Sequence, residues 1–141
     1  MKAIFQKRFD LLAFAGSQVL IDLESLVYLL QRADHVHRFL HTYLGATIVA
    51  IATIAATVTF YSLVKRSVSI SAIVFGAFFG TYSHIVLDSI MHRDIRPFAP
   101  FFDSNGLLGV ISLATLHDFC FFMGILGLCG ITWRLRSQIF K

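Results

Sequence analysis

Charged residues are scarce in this chain of 141 residues, in which Asp, Glu, Lys and Arg together make up 14%. A soluble domain carries roughly 25% of such residues. Hydrophobic residues account for 57% of the chain, and its mean hydropathy is +0.75. The shortage of charge therefore excludes an ordinary soluble globular domain.

Cysteine is nearly absent as well, since the chain holds only Cys120 and Cys129. Nine positions at ~100° per residue place these two side chains on opposite faces of one helix. We therefore expect no disulfide between them, and the chain has no CxxC pattern for a metal site. Low-complexity segments and clear internal repeats are missing too.

Positive charge is only mildly in excess, with a formal net charge of +4 and a pI near 9.4. The basic residues form short clusters between apolar runs, an arrangement typical of membrane topology and not of a nucleic-acid surface. We therefore expect no nucleic-acid partner.

Apolar residues gather in four long runs, at about residues 11–30, 43–64, 70–90 and 107–133. A helix of ~20 apolar residues is long enough to cross the ~30 Å hydrocarbon core of a bilayer. The sequence thus predicts an all-α polytopic membrane protein, a bundle of four transmembrane helices. We expect one integral-membrane domain over residues 1–141, with the lipid bilayer as its surroundings.

The loops between these spans differ in basic charge, which predicts their orientation. One side carries Lys2, Lys7, Arg8, Lys65, Arg66, Arg134, Arg136 and Lys141, and the other carries Arg32, Arg38, Arg93 and Arg96. Cytoplasmic loops are enriched in Lys and Arg. We therefore expect a plasma (inner) membrane protein with both termini in the cytoplasm and with loops 31–42 and 91–106 on the outer side.

The third span carries an unusual stripe of residues spaced four apart: Gly76, Gly80, His84, Asp88 and His92. Residues at this spacing share one face of a helix. The two glycines form a GxxxG pair, which lets a neighbouring helix approach closely. Beyond them the stripe offers imidazoles and a carboxylate, which either form a site or satisfy one another within the helix packing.

A second group of histidines lies in the segment DHVHRFLHT, before the second span. If a helix begins near Val36, His37 and His41 lie four apart and face one way. His35 would then point elsewhere or lie in the loop. Two imidazoles are thus expected to share a face at the outer end of this span.

Carboxylates inside the first span form a third polar group, since Asp22 and Glu24 interrupt the apolar stretch IDLESLVYLL. The fourth span adds His117 and Asp118. Ionisable groups within a membrane are costly unless they are paired or bind a cation. In the expected topology the polar groups of all four spans fall in the outer half of the membrane, so they converge on one level.

Imidazoles combined with carboxylates suit a borderline divalent ion such as zinc. Such an ion activates water and polarises a phosphoryl or carbonyl oxygen, so the composition of the site indicates hydrolysis. Asp22 or Glu24 would bind the ion or act as the base, and Arg38 would hold an anionic group. The predicted ligands are His37, His41, His84 and Asp88, with His92 and His117 as further candidates.

Three of these segments resemble the membrane-bound metal-dependent hydrolase family, inner-membrane proteins with P-D-x-D, H-R-x-x-T-H-S and H-x-x-x-D motifs. IDLES, HRFLHT and SHIVLDSIMHRDIRPFAPF occur in the expected order, and the resemblance covers roughly residues 15–130. It implies a metal-dependent hydrolase in which Asp22 and Glu24 are the paired acids. His37 and Arg38 match the H-R pair, His41 the later histidine, and His84 and Asp88 the H-x-x-x-D motif.

The chain departs from those motifs at several positions. Ile21 stands in place of the proline, Glu24 in place of an aspartate, and His41 follows His37 after four residues instead of five. The resemblance supplies no substrate, and a phosphoester or another lipid-borne group is the substrate that we expect at the outer face.

Other functions fit parts of the same pattern. Polar residues in spans also form ion or proton pathways, so a small metal-ion or proton transport protein is one alternative. Haem bound by His84 and His117 is another. A non-catalytic membrane scaffold is a third, favoured by the glycines Gly124, Gly127 and Gly130, and a homo-oligomer is compatible with each of these.

Overall fold

A computed structural model describes residues 8–139, without the side chains of residues 134, 135, 138 and 139. These residues form four α-helices and a 3₁₀ turn, with no β-strand in the part described. The helices are α1 (Leu11–Leu30), α2 (Tyr43–Leu63), α3 (Ile70–Met91) and α4 (Leu113–Ile139), and the 3₁₀ turn is Phe39–His41. Each helix is long and apolar enough to cross a membrane. The protein is thus an all-α, multi-pass membrane protein.

The helix bounds agree with the apolar runs except at the fourth span. There α4 begins at Leu113 instead of near residue 107, because residues 106–109 form turns. The Ser112 hydroxyl accepts a hydrogen bond from the backbone N–H of Thr115, which starts the helix. Of the basic residues used for the orientation, Lys2, Lys7 and Lys141 lie outside the described residues.

The chain divides into two compact units after Leu108. The first unit contains α1, the 3₁₀ turn, α2 and α3, and the second contains α4. Within the first unit α3 packs against both α1 and α2, and α1 and α2 also contact each other. The candidate site described below lies entirely in this first unit.

Two apolar clusters fill the first unit at different heights. The cluster at the end where α1 and α3 begin consists of Ala13, Ala50, Tyr61, Ile73 and Ala77. The other, nearer the opposite end, consists of Ile21, Ala46, Val49 and Ile85. These layers hold the three helices in fixed positions relative to one another.

Asp10 ties the beginnings of α1 and α3 to the end of α2. Its buried carboxylate caps α1 by accepting from the N–H of Ala13 at 2.8 Å, and it also accepts from the hydroxyl of Tyr61 at 2.9 Å. Its backbone N–H donates to the carbonyl of Ala72 on α3. One residue therefore links all three helices at this end.

The GxxxG pair of α3 brings α1 into close contact, as its spacing predicts. A Cβ atom at Gly76 would collide with the backbone oxygen of Asp10. At Gly80 it would collide with the hydroxyl of Ser17 and lie 2.9 Å from the backbone oxygen of Phe14. Only glycine permits this separation of the two helices, and the separation places His84 and Asp88 beside α1.

We expect Gly76→Ala to lower the stability of the protein by about 1–3 kcal/mol, because the added methyl group meets backbone, which cannot rotate away. Gly16→Ala is the matched control on α1, since its Cβ would lie 3.8 Å from the nearest atom, Thr53 Cγ2. Thermal unfolding in detergent measures both variants. Equal unfolding temperatures for the two variants would contradict the close contact.

Candidate metal centre

Four side chains from three segments of the first unit converge on one point. Asp22 comes from α1, His41 from the 3₁₀ turn, and His84 and Asp88 from α3. The donor atoms alternate between imidazole Nε2 and carboxylate oxygen. His84 Nε2 lies 3.2 Å from Asp22 Oδ1 and 3.1 Å from Asp88 Oδ2. His41 Nε2 lies 3.4 Å and 3.5 Å from the same two oxygens.

These distances match the spacing of ligand atoms around a tetrahedral ion. With metal–ligand bonds of about 2.0–2.1 Å, neighbouring donors of a tetrahedron lie about 3.3–3.4 Å apart. The four imidazole–carboxylate separations run from 3.1 to 3.5 Å, and the remaining two separations among the donors are at most 4.8 Å. The donor set of two imidazoles and two carboxylates is one that zinc accepts.

The two Nε2 atoms of this cluster are buried and have no hydrogen-bond partner among the described residues. The nearest carboxylate oxygens lie 3.1–3.5 Å from them. A buried polar atom without a partner costs roughly 1–3 kcal/mol. The geometry thus leaves two ring nitrogens directed at a shared point, as expected for the ligands of an ion.

The opposite ring nitrogens are held by neighbouring polar side chains. Nδ1 of His84 donates to Oε1 of Gln18 at 2.6 Å, and Nδ1 of His41 lies 3.3 Å from the hydroxyl of Ser25. Because the amide oxygen of Gln18 only accepts, Nδ1 of His84 carries a proton, and Nε2 is the ring nitrogen directed at the shared point. Metal-binding histidines are commonly oriented in this way.

The four donor side chains differ in their exposure. His41 is fully buried, and the side chains of His84 and Asp88 are 12% and 17% exposed. The side chain of Asp22 is 54% exposed. The cluster therefore opens on the side of Asp22, where a small molecule would reach it.

Next to this cluster of four donors, His37 and Asp94 form a hydrogen-bonded pair. Nδ1 of His37 lies 3.0 Å from Oδ1 of Asp94 and 3.1 Å from Oδ2. The backbone N–H groups of Val36 and His37 also donate to Oδ2 at 3.1 Å. The His37 ring lies between the rings of His41 and His92, with centroid separations of 4.7 and 4.3 Å.

Burial lowers the pKa of the His37 imidazole, although the hydrogen bond and charge of Asp94 act in the opposite direction. Burial alone would raise the pKa of Asp94, but hydrogen bonds from the backbone N–H and the ring of His37 bring it down to about 2. At neutral pH the pair is therefore a neutral imidazole and a carboxylate. Asp94 holds the proton on Nδ1, which leaves Nε2 of His37 as a proton acceptor.

The structure separates two groups of residues that the sequence joined. His37, predicted as a ligand, is hydrogen-bonded to Asp94 beside the cluster of four donors, and its imidazole contacts that of His92. The carboxylate of Asp94 already accepts hydrogen bonds from the imidazole of His37 and from two backbone N–H groups. Although His37, His92 and Asp94 are close enough to share an ion, these hydrogen bonds favour an orienting role for Asp94 over metal binding.

The expected helix from Val36, with His37 and His41 on one face, does not form. Residues 33–38 have no regular structure, and α2 begins only at Tyr43. Thr42 caps α2 by accepting from the N–H of Gly45 at 3.0 Å. His41 reaches the site from the 3₁₀ turn instead.

Of the two candidate acids of α1, Asp22 belongs to the ring of donors and Glu24 does not. Glu24 Oε2 accepts from the backbone N–H of Leu40 at 2.7 Å, so it fixes the 3₁₀ turn that carries His41.

Arg38 directly precedes this 3₁₀ turn, and its guanidinium lies over the ring of Tyr28, 3.9 Å from the centroid. His117 lies in the second unit, where its side chain is exposed.

Three functional neighbours have signals in the sequence that are easy to miss. Gln18 precedes Asp22 by one helical turn inside an apolar run, and Ser25 follows it by three residues. Asp94 follows His92 by two residues at the end of α3. Their partners are distant in the chain, so the sequence alone does not pair them.

Comparison with known proteins adds no relative, because no family model, curated protein or solved structure matches this chain.

We expect Asp94→Ala to free the segment that carries His37. The amides of Val36 and His37 should exchange with deuterium at least about tenfold faster, because a hydrogen bond to a charged group contributes roughly 1.5–3 kcal/mol. Asp103→Ala is the control, since Asp103 is exposed and pairs only with Arg96, at 3.1 Å. Unchanged exchange in Asp94→Ala would show that this carboxylate does not hold the segment.

Proposed function

We propose that this protein is a membrane-embedded, divalent-metal-dependent hydrolase with zinc held by Asp22, His41, His84 and Asp88. One observation carries the proposal: the four donor atoms lie 3.1–3.5 Å apart in alternation, and the two imidazole Nε2 atoms are buried without hydrogen bonds. The motif resemblance supports the same reading.

A divalent ion in such a site lowers the pKa of water and polarises the oxygen of an ester. The residues of this chain would do the rest. His37, oriented by Asp94, accepts a proton at Nε2 from the attacking water. Arg38 holds the anionic group of the substrate, as its forked guanidinium suits a phosphate or carboxylate. Asp22 is the most exposed of the four donors.

The substrate that fits this arrangement is a phosphoester or another lipid-borne group at the outer face. The metal centre lies toward the end of the spans that carries the loops 31–42 and 91–106. The bias of basic residues supports a plasma (inner) membrane location with these loops outside and both termini in the cytoplasm.

The packing of the first unit argues against the alternative function, transport. The apolar cluster of Ala13, Ala50, Tyr61, Ile73 and Ala77 lies between the metal centre and the Asp10 end of these helices. An ion passing through this unit would have to cross that layer, whose members are mainly apolar, and such a passage is costly. This packing favours chemistry at the site over passage through it.

We expect the purified protein to contain about one zinc ion per chain, measured by inductively coupled plasma mass spectrometry. His84→Ala and Asp88→Ala should each retain less than about a tenth of that metal, because each removes one of four ligands. His35→Ala is the matched control, since His35 is exposed and lies outside the ring. Equal metal content in all four proteins would refute the assignment of ligands.

Gln18 extends the same experiment. Gln18→Ala should weaken zinc affinity about 10–100-fold, the usual cost of losing the hydrogen bond that orients a metal-binding histidine. Gln18→Glu keeps an acceptor for Nδ1 of His84 and should restore most of the affinity. Loss in both variants would mean that Gln18 acts through packing alone.

We expect hydrolysis of lipid phosphomonoesters or phosphodiesters that stops with a chelator and returns with zinc. His37→Ala should lower kcat by about 10²–10⁴, the range for a general base, while its zinc content stays unchanged. Zinc loss in this variant would make His37 a ligand instead. Zinc-loaded protein that hydrolyses none of these esters would contradict the hydrolase proposal and favour transport, which zinc uptake into proteoliposomes measures directly.

A further inference from the structure

A cavity of about 470 Å³ lies beside the metal centre, within the first unit. It is formed by residues 35–44 and 94–100, the two segments that pack together at this end of the helices. His37 lines the cavity, and the same ring contacts His41 of the metal centre. The cavity has the size of a small-molecule site, for which about 300–1,000 Å³ is typical.

The cavity contains one cation without a compensating carboxylate. Arg38 stacks on Tyr28 and donates from Nε to the backbone oxygen of His35 at 3.3 Å, and no carboxylate of residues 8–139 lies within 4.0 Å of its nitrogens. The other arginine of the cavity, Arg96, pairs with Asp103. Stacking holds the guanidinium of Arg38 in place with its two terminal nitrogens available, which suits bidentate binding of an anion.

Asp94, the acid of the cavity, keeps its negative charge but does not form an ion pair with Arg38. The carboxylate of Asp94 accepts hydrogen bonds from the imidazole of His37 and from two backbone N–H groups. These hydrogen bonds direct its oxygens toward the 36–37 segment. An anion therefore finds its partner in Arg38, next to the ring of His37.

Part of the cavity wall is apolar and continues into a second cavity. Leu44 and Ala99 line the first cavity and also line the second, which has a volume of about 170 Å³. That second cavity is bordered by Phe98, Phe101 and Phe102, which are 50%, 76% and 67% exposed. Exposed aromatic side chains at a loop beside membrane spans are typical of the interface, where lipid chains meet their head groups.

We propose that the two cavities together bind a phosphate-bearing lipid. The phosphate lies on Arg38 beside His37, and an acyl chain passes Leu44 and Ala99 toward the exposed phenylalanines. An anion alone would leave the apolar path empty, and a neutral lipid would leave Arg38 unpaired. This inference deepens the proposed function by naming its substrate class, but binding itself requires no metal.

The test uses the full chain in detergent after treatment with a chelator, so that failure of the metal proposal leaves it intact. Native mass spectrometry measures the binding of three probes: dioleoyl phosphatidate, dioleoylglycerol with the same chains but no phosphate, and glycerol 3-phosphate with no chains. We expect saturable binding of one phosphatidate per chain, with both other probes bound at least tenfold more weakly. Equal binding of dioleoylglycerol, or equal binding of glycerol 3-phosphate, would overturn the proposal.

Two variants test the location of the site. Arg38→Gln should weaken phosphatidate binding about tenfold. Arg93→Gln should leave it unchanged, since Arg93 is exposed in loop 91–106, directly before Asp94, but does not line the cavity. Leu44→Trp, which narrows the apolar path at a partly exposed position, should weaken phosphatidate binding in a protein that keeps Arg38. Equal losses in Arg38→Gln and Arg93→Gln, or no loss in Leu44→Trp, would show surface adsorption and overturn the site.

The outcomes also separate the two proposals. Phosphatidate binding without metal-dependent hydrolysis supports the lipid site and contradicts only the hydrolase. Metal-dependent hydrolysis of water-soluble phosphoesters without phosphatidate binding supports the hydrolase and overturns the lipid site.

Discussion

Two carboxylates and two imidazoles share one small space inside the membrane-spanning helices, and the rest of the first unit is arranged around them. Asp22 and Asp88 bring two negative charges into a medium where unpaired charge is costly. Two protonated imidazoles would neutralise them as ion pairs, but neither Nε2 makes a hydrogen bond in the part of the chain described. A divalent cation would neutralise the same charge and bind the two ring nitrogens, which is the partner that we propose.

The scaffold fixes this space from two directions. At one end Asp10 links α1, α2 and α3, and Gly76 lets α1 and α3 touch, so the separation of Asp22 from His84 is set by backbone contact. At the other end, an irregular segment is held by carboxylates from the neighbouring elements. Glu24 binds the amide of Leu40, and Asp94 binds the amides of residues 36 and 37. Helix packing places three of the four donors, and hydrogen bonds place the irregular segment that carries the fourth, His41.

Helical periodicity made part of this site predictable and left the rest out of reach. His84 and Asp88 lie four apart on one regular helix, so their shared face follows from the sequence, as does the close approach at Gly76 and Gly80. The pairing of His37 with Asp94 spans 57 residues and that of His84 with Gln18 spans 66. Such contacts depend on how helices pack and on an irregular loop, for which no period exists. The spacing of four between His37 and His41 predicts a helix from Val36, but α2 begins after its N-cap residue, Thr42.

The position of His37 connects the two parts of the proposed chemistry. Its ring touches His41 on one side and lines the cavity with Arg38 on the other. A group bound in the cavity therefore meets this ring before it meets the metal ligands. Because Asp94 fixes the proton on Nδ1, the nitrogen that remains free is Nε2, the one suited to take a proton from water at the boundary between the cavity and the metal centre. Four protein ligands fill a tetrahedral site, so water would reach an ion here only in a five-coordinate arrangement. An oriented base at His37 leaves that fifth position to water, whereas a fifth protein ligand would occupy it.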